Sequence, residues 1–220
     1  MRTIPMRTRH RYAIALALAA VAAVAGVLAR PDLPADVAIH WDAAGRADGF
    51  ASRWVALTLL PALAVVLLTL FALLPRIDPL GQNVRQFRPT YDWFAVLTVG
   101  VLAYAHGVVL ALNLGYEFSI LRAIVPVVAV LTVAAGYVLE RAERNWFVGI
   151  RTPWTLSDAA VWDETHRHAA PLFKLAGIVT LGGLLFPAYA FAFLVGPLVA
   201  VALCATGYSY VAYRRRADGA

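Results

Sequence analysis

The sequence has few charged residues and a single cysteine, and both shortages exclude classes of protein. Charged residues make up 15% of the 220 residues, whereas hydrophobic residues make up 61%. A water-soluble domain cannot bury that much apolar surface, so this composition indicates a membrane protein. The single cysteine, Cys204, lies within an apolar run. A disulfide framework or a cysteine-based metal cluster therefore cannot be built within this chain.

Long apolar runs are what the sequence has in abundance. The hydrocarbon core of a bilayer, about 30 Å thick, requires about 20 apolar residues per helix. Six such stretches predict the fold class, an all-α membrane protein formed as a polytopic bundle of about six transmembrane helices. They are Tyr12 to Ala29, Trp54 to Leu74, Trp93 to Leu114, Ser119 to Leu139, Pro171 to Phe193, and Val195 to Tyr213. The first stretch also fits a signal peptide cleaved near Val27-Leu28-Ala29, and this alternative stays open.

Basic residues predict the orientation of these helices. All but four of the 19 Lys and Arg residues fall on the side of the N-terminus, and the exceptions are Arg30, Arg46, Arg53 and Arg122. Because Lys and Arg near short loops are retained inside, both termini are predicted to be cytoplasmic in a plasma-membrane protein. The basic inner surface would attract anionic membrane lipid. Since the basic residues lie at the ends of apolar runs, the net charge of +6 does not indicate a nucleic-acid partner.

Prolines and one histidine within the apolar stretches leave transport open as a function. The prolines are Pro61, Pro126, Pro187 and Pro197. Helix kinks are the simpler interpretation, and broken helices around a transport site are the alternative. His106 is the one clearly mid-span ionisable residue, whereas an ion or proton relay usually needs more. A small transporter or permease component is therefore the alternative function.

The segment between the first two stretches, residues 30–53, is predicted to lie outside the cell as an ordered loop or small hairpin. Strand-type residues from Val37 to Trp41 are followed by turn-type residues around Gly45 and at Asp48-Gly49. This segment is too long and too patterned for a simple connector, so it is a candidate for binding an outside ligand.

Three side chains of this outer loop have the chemistry of cation ligands. They are His40, Asp42 and Asp48, and their spacing matches no known metal motif. The alternative that their residue types favour has His40 and Trp41 packing at the membrane interface while the acids keep the loop hydrated. No metal and no cofactor is predicted.

The segment before the fifth stretch, residues 143–168, is predicted to lie inside the cell and to contain a short helix. Thr155 and Asp158 have the spacing of a capping box, and Ser157 is a second N-cap candidate. The helix is predicted from about Asp158 to His168. Trp162 and His166 would share one of its faces, since they lie four residues apart.

This helix is predicted to lie along the inner membrane surface. Its other face carries charged pairs, Asp163 with Arg167 and Glu164 with His168. An aromatic face opposite a charged face is typical of an interfacial helix. The tryptophans that would anchor it are Trp146, Trp154 and Trp162.

The inner loop offers two kinds of chemistry. Asp163, Glu164, His166 and His168 resemble the composition of a metal site, but their order is not that of the H-E-x-x-H motif and a third ligand is not obvious. A membrane-bound metal hydrolase is thus a third and weaker hypothesis. Arg151, held between Gly149 and Pro153, has a fork of donors suited to a carboxylate or phosphate. A contact with a lipid phosphate or a helix C-terminus explains Arg151 equally well.

Two segments carry a resemblance to known families. The inner run Asn145 to Ser157, continued by Val161-Trp162 and Thr165-His166-Arg167, resembles the signature of the SdpI family of immunity proteins. The outer loop resembles the uncharacterised N-terminal domain that often precedes this signature. Its residues are Leu33-Pro34, Ile39-His40-Trp41, Gly45 and Asp48-Gly49, extended by Ile77-Asp78-Pro79, Asn83, Phe87 and Tyr91. Three places depart from the residues that these families usually have. Ala38 stands where proline is common, Arg53 where lysine is usual, and Ala169-Ala170 where glycine is common.

The resemblance implies a non-enzymatic membrane protein that protects its cell from a secreted peptide toxin. The type member of the family also holds a cytoplasmic transcriptional repressor at the membrane when toxin is present. The resemblance therefore implies such a repressor as a candidate partner. The candidate ligand or partner residues are Asn145, Gly149, Arg151, Thr152, Pro153, Trp154, Thr155, Trp162, Thr165 and His166 inside, and His40, Trp41, Gly45 and Asp48 outside.

The resemblance also suggests the domain organisation. The predicted segments are a basic cytoplasmic N-terminus (1–11), an N-terminal domain with two transmembrane helices, the outer loop and the start of the inner loop (12–91), an SdpI-like domain with four transmembrane helices and the inner signature loop (92–213), and a basic tail (214–220).

Overall fold

The computed structural model describes residues 7–218, which form helices and one β-hairpin. The elements in chain order are α1 (Thr8–Ala29), β1 (Asp36–Trp41), β2 (Ala47–Ser52), α2 (Arg53–Ile77), α3 (Gly81–Gln86), α4 (Arg88–Asn113), α5 (Ile120–Leu139), α6 (Pro153–Ser157), α7 (Ala159–Thr180), α8 (Gly182–Leu185), a 3-10 turn (Pro187–Tyr189) and α9 (Ala190–Ala217). Residues 1–6 of the predicted N-terminal segment and 219–220 of the predicted tail lie outside the described residues.

Among residues 7–218, six helical segments are long and apolar enough to cross a membrane, which confirms the predicted polytopic all-α class. They are α1, α2, α4, α5, and the two segments Ala159–Leu185 and Pro187–Ala217. Many of their large apolar side chains are exposed, as Val27 and Leu203 illustrate, because lipid rather than protein covers them.

The bounds predicted for the last two membrane-spanning stretches were wrong. The fifth was predicted to begin at Pro171, but α7 begins at Ala159 and contains Pro171 in its interior. The sixth was predicted to begin at Val195, but the chain breaks earlier, around Pro187, and α9 contains Pro197. Hydropathy marks only the apolar part of a helix, so it missed the polar turns at the start of α7.

The chain divides into two compact units. The first comprises the described residues up to Phe71 together with Ala95–Ile124, and the second comprises Ala72–Phe94 and the described residues from Val125 onward. Each unit contains one of the two segments that the sequence singled out.

In the first unit, small side chains let α1 pack closely. Ala15 and Ala19 of α1 are buried in one cluster with Ala64 and Leu68 of α2 and Val99 of α4. Small residues at helix contacts allow close approach, which maximises van der Waals packing in a bilayer where there is no hydrophobic drive between helices.

The hairpin of the first unit is ordered, which confirms one of the two predicted forms of the outer loop. β1 and β2 pair antiparallel, with a register irregularity after Ala38. The turn is closed by Asp42, whose carboxylate accepts hydrogen bonds from the backbone N–H groups of Ala44 (2.8 Å) and Arg46 (2.9 Å). Gly45 supplies the positive φ of +78° that the turn requires.

The side chain of Asn113, at the end of α4, fixes the hairpin to the first unit. Its amide oxygen accepts from the Ala38 N–H (2.8 Å), and its amide nitrogen donates to the Ala38 carbonyl (3.0 Å) and the Val109 carbonyl (2.8 Å). Leu33 and Val37 lie in an apolar cluster below this contact. The hairpin is therefore a docked element.

In the second unit, two glycines bring α7 against α5. A Cβ at Gly177 would lie 2.7 Å from the Ala129 carbonyl oxygen, and one at Gly136 would lie 2.8 Å from the Ala170 carbonyl oxygen. At each contact one helix contributes a glycine, so its backbone lies close to the backbone of the other helix. This close packing fixes the polar N-terminal half of α7, on which the inner loop folds.

Candidate functional site

Asn145 organises the loop between α5 and α6. The side chain is fully buried, and its amide nitrogen donates to the carbonyls of Glu143 (2.9 Å) and Val148 (2.8 Å). Its amide oxygen accepts from the N–H groups of Phe147 (2.9 Å) and Val148 (2.7 Å). Both donors and both lone pairs are used, so Asn145 satisfies backbone groups that the loop would otherwise leave unpaired. Its role is internal to the loop.

A second set of ties comes from the segment after α2. The buried carboxylate of Asp78 accepts from the N–H groups of Leu80 (2.7 Å) and Trp146 (3.0 Å). Asn83 donates its side-chain amide to the Arg144 carbonyl (2.7 Å). Asp78 and Asn83 are part of the resemblance to the N-terminal domain, but the sequence indicates no role for them, because spacing along the chain does not show that they reach a loop some sixty residues away.

His166 closes the other side of the loop. Its Nε2 accepts from the Ile150 N–H (3.0 Å), and its Nδ1 donates to the Trp162 carbonyl (2.8 Å). The ring stacks on Trp162 with a centroid separation of 4.0 Å, and the Trp162 Nε1–H donates to the Ala142 carbonyl (2.7 Å). The predicted shared face of Trp162 and His166 is confirmed. With both nitrogens in use, His166 is held as a neutral imidazole.

Trp162 is not the interfacial anchor that the sequence predicted, because the side chain is fully buried under the loop. The predicted surface helix from Asp158 to His168 is also wrong, since those residues form the first turns of α7 and continue into its apolar part. The apparent amphipathicity arises because one face of α7 packs beneath the loop.

Two threonines fold the end of the loop into α6. Thr152 is the N-cap: its hydroxyl accepts from the Thr155 N–H (3.2 Å), while the Thr155 hydroxyl accepts from the Thr152 N–H (3.0 Å). The Thr155 hydroxyl also donates to the Ile150 carbonyl (2.7 Å), and Thr152 contacts the Ser209 hydroxyl of α9 (3.1 Å). Both threonines are buried. Because Thr152 also contacts Ser209, the capping box links the loop to α9.

The predicted capping box of Thr155 and Asp158 was wrong, because Thr155 closes the box at α6 and Asp158 is itself the N-cap of α7. Partial burial opposes ionisation of Asp158, but its hydrogen bonds from the N–H groups of Ala160 and Val161, together with Arg216, hold its pKa below the usual value. Ser157 is not a cap, since its hydroxyl donates back to Trp154.

Three candidate residues of the inner loop and α6 reach the surface. Arg151 is exposed and donates to the Trp146 carbonyl (3.0 Å), which points its guanidinium along the loop. Pro153 is exposed at the first position of α6. Trp154 is half-buried against Tyr210, with ring centroids 5.0 Å apart. These are the candidates placed to touch a partner.

A polar cleft of about 470 Å³ opens beside His166. At this cleft Lys174 donates a hydrogen bond to Glu140 (2.9 Å). This hydrogen bond, together with the charge of the neighbouring Arg141, keeps the pKa of Glu140 below its usual value. Asp163 and Arg167 also line the cleft. Charges of both signs on its walls suit a polar partner.

The remaining inner candidates lie on α7. Glu164 and His168 share a face of α7 as predicted, and both contact the Tyr208 hydroxyl, at 2.9 and 3.1 Å. Thr165 is fully buried, and within residues 7–218 its hydroxyl has no hydrogen-bond partner. The described part of the chain contains no group of three His, Cys, Asp or Glu side chains that could hold a metal ion.

The outer candidates lie on the hairpin. His40 and Asp48 form a hydrogen-bonded pair (2.6 Å), while Asp42 pairs with Arg46 instead (2.8 Å). The Arg46 backbone and side-chain hydrogen bonds lower the pKa of Asp42. His40, Asp42 and Asp48 are thus not brought together as cation ligands. Trp41, at the end of β1, is half-buried.

Comparison with known proteins follows the same division. Residues 141–210 match the model of the SdpI/YfhL protein family, and residues 17–65 match a domain of unknown function (DUF1648). The resemblance to the SdpI family is confirmed. The immunity protein SdpI of Bacillus subtilis (strain 168) is 24% identical over 147 residues, which cover 67% of this chain and 68% of that protein. No solved structure matches the chain.

The SdpI match coincides with the hydrogen-bonded assembly described above. It begins at Arg141, directly before the loop, and ends at Tyr210, which packs on Trp154. It therefore includes Asn145, the capping box and the stacked pair of Trp162 and His166. The match thus contains the inner loop and the residues of α7 and α9 that contact it, while Asp78 and Asn83 lie outside the match.

Replacing Gly149 with alanine tests this assembly. Gly149 has a φ of +121°, and a Cβ there would lie 2.5 Å from His166 Nε2 and 2.9 Å from the Trp162 ring. We expect a loss of stability of about 1–2 kcal/mol from the backbone conformation, and about 1–3 kcal/mol more from overpacking. Thermal unfolding of the purified protein in detergent measures the sum.

Gly115→Ala is the matched control, because Gly115 has a φ of +89° but nothing within 4 Å of its Cβ position. It carries the conformational cost without the clash. Equal unfolding temperatures for the two variants would show that Gly149 is not pressed against His166 and Trp162.

Proposed function

We propose that this protein is a non-enzymatic membrane immunity protein that protects its cell from a secreted peptide toxin. The observation that carries the proposal is that the SdpI match falls on a segment whose polar residues are largely bonded to one another, leaving Arg151 exposed on it. A segment of that kind suits recognition of a partner by a fixed surface. The similarity to an immunity protein gives the class of function.

In this proposal the hairpin meets the toxin outside and the inner loop responds inside. Three candidate membrane-spanning helices, α2, α4 and α5, separate the two segments along the chain. An odd number of crossings puts them on opposite sides of the membrane, and the excess of Arg and Lys assigns the inner loop to the cytoplasm. Both termini are then cytoplasmic.

The cytoplasmic partner, a transcriptional repressor in this proposal, would dock on the inner loop. Arg151 offers a fork of donors to a carboxylate, and the cleft beside His166 adds charges of both signs through Asp163 and Arg167. Because Asn145, Thr155 and His166 fix the loop from within, a displacement of α7 or α9 would alter this surface as a whole.

Survival of toxin-sensitive cells tests the immunity function. We expect expression of the protein to protect such cells against at least one peptide of a panel that includes the sporulation-delaying toxin. Arg151→Ala removes the charge-assisted contact between the inner loop and its cytoplasmic partner, which should weaken that contact by about tenfold and lower the tolerated toxin concentration with it, while Arg151→Lys should retain part of the protection.

Arg76→Ala is the control, because Arg76 is an exposed arginine predicted to lie on the same side of the membrane and outside the SdpI match. It should protect like the wild type. If cells that express the wild-type protein stay sensitive to every toxin, the immunity function is rejected. If Arg151→Ala protects fully, only the role of Arg151 is rejected.

Cysteine labelling tests the orientation. In a Cys204→Ser background, single cysteines replace Ala44 in the exposed hairpin turn or Ser157 in the exposed end of α6. We expect an impermeant maleimide added to intact cells to label residue 44, and to label residue 157 only after the cells are opened. Labelling of both positions from outside would end the proposed division between the two sides.

Transport is a second candidate function, and His106 favours it. The side chain is fully buried within α4, and in the described part of the chain neither ring nitrogen has a hydrogen-bond partner. Gly26 lets α1 pass beside it, since a Cβ there would lie 3.0 Å from the His106 Nε2. An unsatisfied polar group in the membrane is costly, so an ionisable one usually marks a functional site.

Replacing His106 with leucine distinguishes transport from packing. If His106 belongs to a transport path, His106→Leu should abolish uptake of a labelled solute by proteoliposomes while toxin resistance stays unchanged. If its role is packing, the variant should be as stable as the wild type or more stable, because an unsatisfied polar group is removed, and uptake should not change.

A further inference from the structure

The edge of β1 that faces away from β2 is hydrogen-bonded by a side-chain amide in the way that a neighbouring strand would bond it. The Asn113 side chain is an amide, and it exchanges two hydrogen bonds with the N–H and C=O of Ala38. A neighbouring strand would make the same pair of bonds at that residue. This edge of the hairpin is therefore closed to a further strand at Ala38.

The same contact shows which backbone groups of β2 point away from the hairpin. Ala38 is opposite Phe50 in the register, and its N–H and C=O face Asn113, away from β2. Ala38 and Phe50 thus form a pair without mutual hydrogen bonds. In such a pair both residues direct their N–H and C=O to opposite outer edges, so those of Phe50 point away from the hairpin.

An independent hydrogen bond gives the same phase of the ladder. The Arg53 N–H donates to the Ala35 carbonyl (2.9 Å), three positions along both strands from the pair of Phe50 and Ala38. Bonded and non-bonded pairs alternate along an antiparallel ladder, so a bonded pair three positions away requires a non-bonded pair at Phe50.

The edge at Phe50 is open within the described chain. The sheet contains only β1 and β2 among residues 7–218, and there the N–H and C=O of Phe50 have no partner outside the sheet. The Phe50 side chain is 61% exposed beside them. Unpaired backbone groups at a strand edge next to an exposed aromatic ring are a usual template for adding a strand.

We propose that the β2 edge at Phe50 binds an extended peptide segment as a third strand of the hairpin. The segment exchanges two backbone hydrogen bonds with Phe50, as Asn113 does with Ala38 on the opposite edge, and places an apolar side chain against the Phe50 ring. Backbone bonds supply affinity, and the apolar contact supplies selectivity. This inference rests on the proposed immunity function and assigns the outer binding site for the toxin.

Two variants of residue 50 separate the backbone donor from the ring. Phe50→Ala removes the ring and keeps the N–H, whereas Phe50→Pro removes both, and proline is tolerated where an edge N–H points outward. The probe is the purified sporulation-delaying peptide toxin, and the readouts are cell survival and affinity for the full-length protein in nanodiscs. We expect Phe50→Ala to weaken binding severalfold and Phe50→Pro to weaken it by about a further fivefold to tenfold.

Amide hydrogen exchange supplies a readout that does not depend on a variant. The Phe50 amide should exchange fast in the free protein and at least about tenfold more slowly with bound toxin. The Ala51 amide faces β1 and should not change, so it is the internal reference. Unchanged protection of the Ala38 amide in both variants shows that the hairpin stays folded on Asn113.

The outcomes distinguish this inference from the proposed function. Toxin protection that depends neither on the ring nor on the N–H of residue 50, with no slowing at the Phe50 amide, overturns strand addition and leaves the immunity function in place. Failure of the wild type to protect against this toxin or to bind it overturns the assignment of this edge as the toxin site, and failure against the whole panel rejects the immunity function too.

Discussion

A buried backbone must have its N–H and C=O groups hydrogen-bonded, and the inner loop of this protein is built around that requirement. The loop crosses the end of a helical bundle without a sheet or a long helix of its own, so side chains supply the missing partners. Asn145 serves three backbone residues, Asp78 receives two N–H groups, and His166 receives one more. Removing one of these side chains would leave the backbone groups that it bonds buried and unpaired. The loss would disturb the whole loop, because the same segment holds the groups that the other side chains bond.

The same requirement explains why so many residues of the SdpI match face inward. Thr152, Thr155 and Trp162 are all buried and all bonded to the loop or to its neighbours. The exposed side chains are left to meet another molecule, and Arg151 and Arg167 are among those with the chemistry to recognise a charged group. A match to a family signature is thus mainly a match to a way of folding, and recognition falls to its few exposed positions.

The hairpin uses the same device in the other unit. The Asn113 amide takes the place of a neighbouring strand and fixes the hairpin to α4, while the opposite edge has no such partner in the described chain. His106 departs from this rule, since both nitrogens of its buried ring lack a hydrogen-bond partner in the described chain. That contrast is why a polar group in the middle of an apolar helix is a functional candidate, while Asn113, equally polar, has a structural explanation.

The sequence by itself determined that there are about six membrane-spanning helices, that the outer segment is an ordered loop or hairpin, that Trp162 and His166 share a face, and which family the chain resembles. Hydropathy, turn residues and residue spacing carry this information because they are local properties. It could not place the start of α7 or the true capping box, since Thr155 and Asp158 satisfy more than one local rule and tertiary contacts select between them. Only the tertiary structure paired Asp78 with Trp146 and Asn113 with Ala38. Those bonds join residues that are distant in the chain, and a hydrogen bond depends on where two atoms lie in space rather than on their separation in sequence.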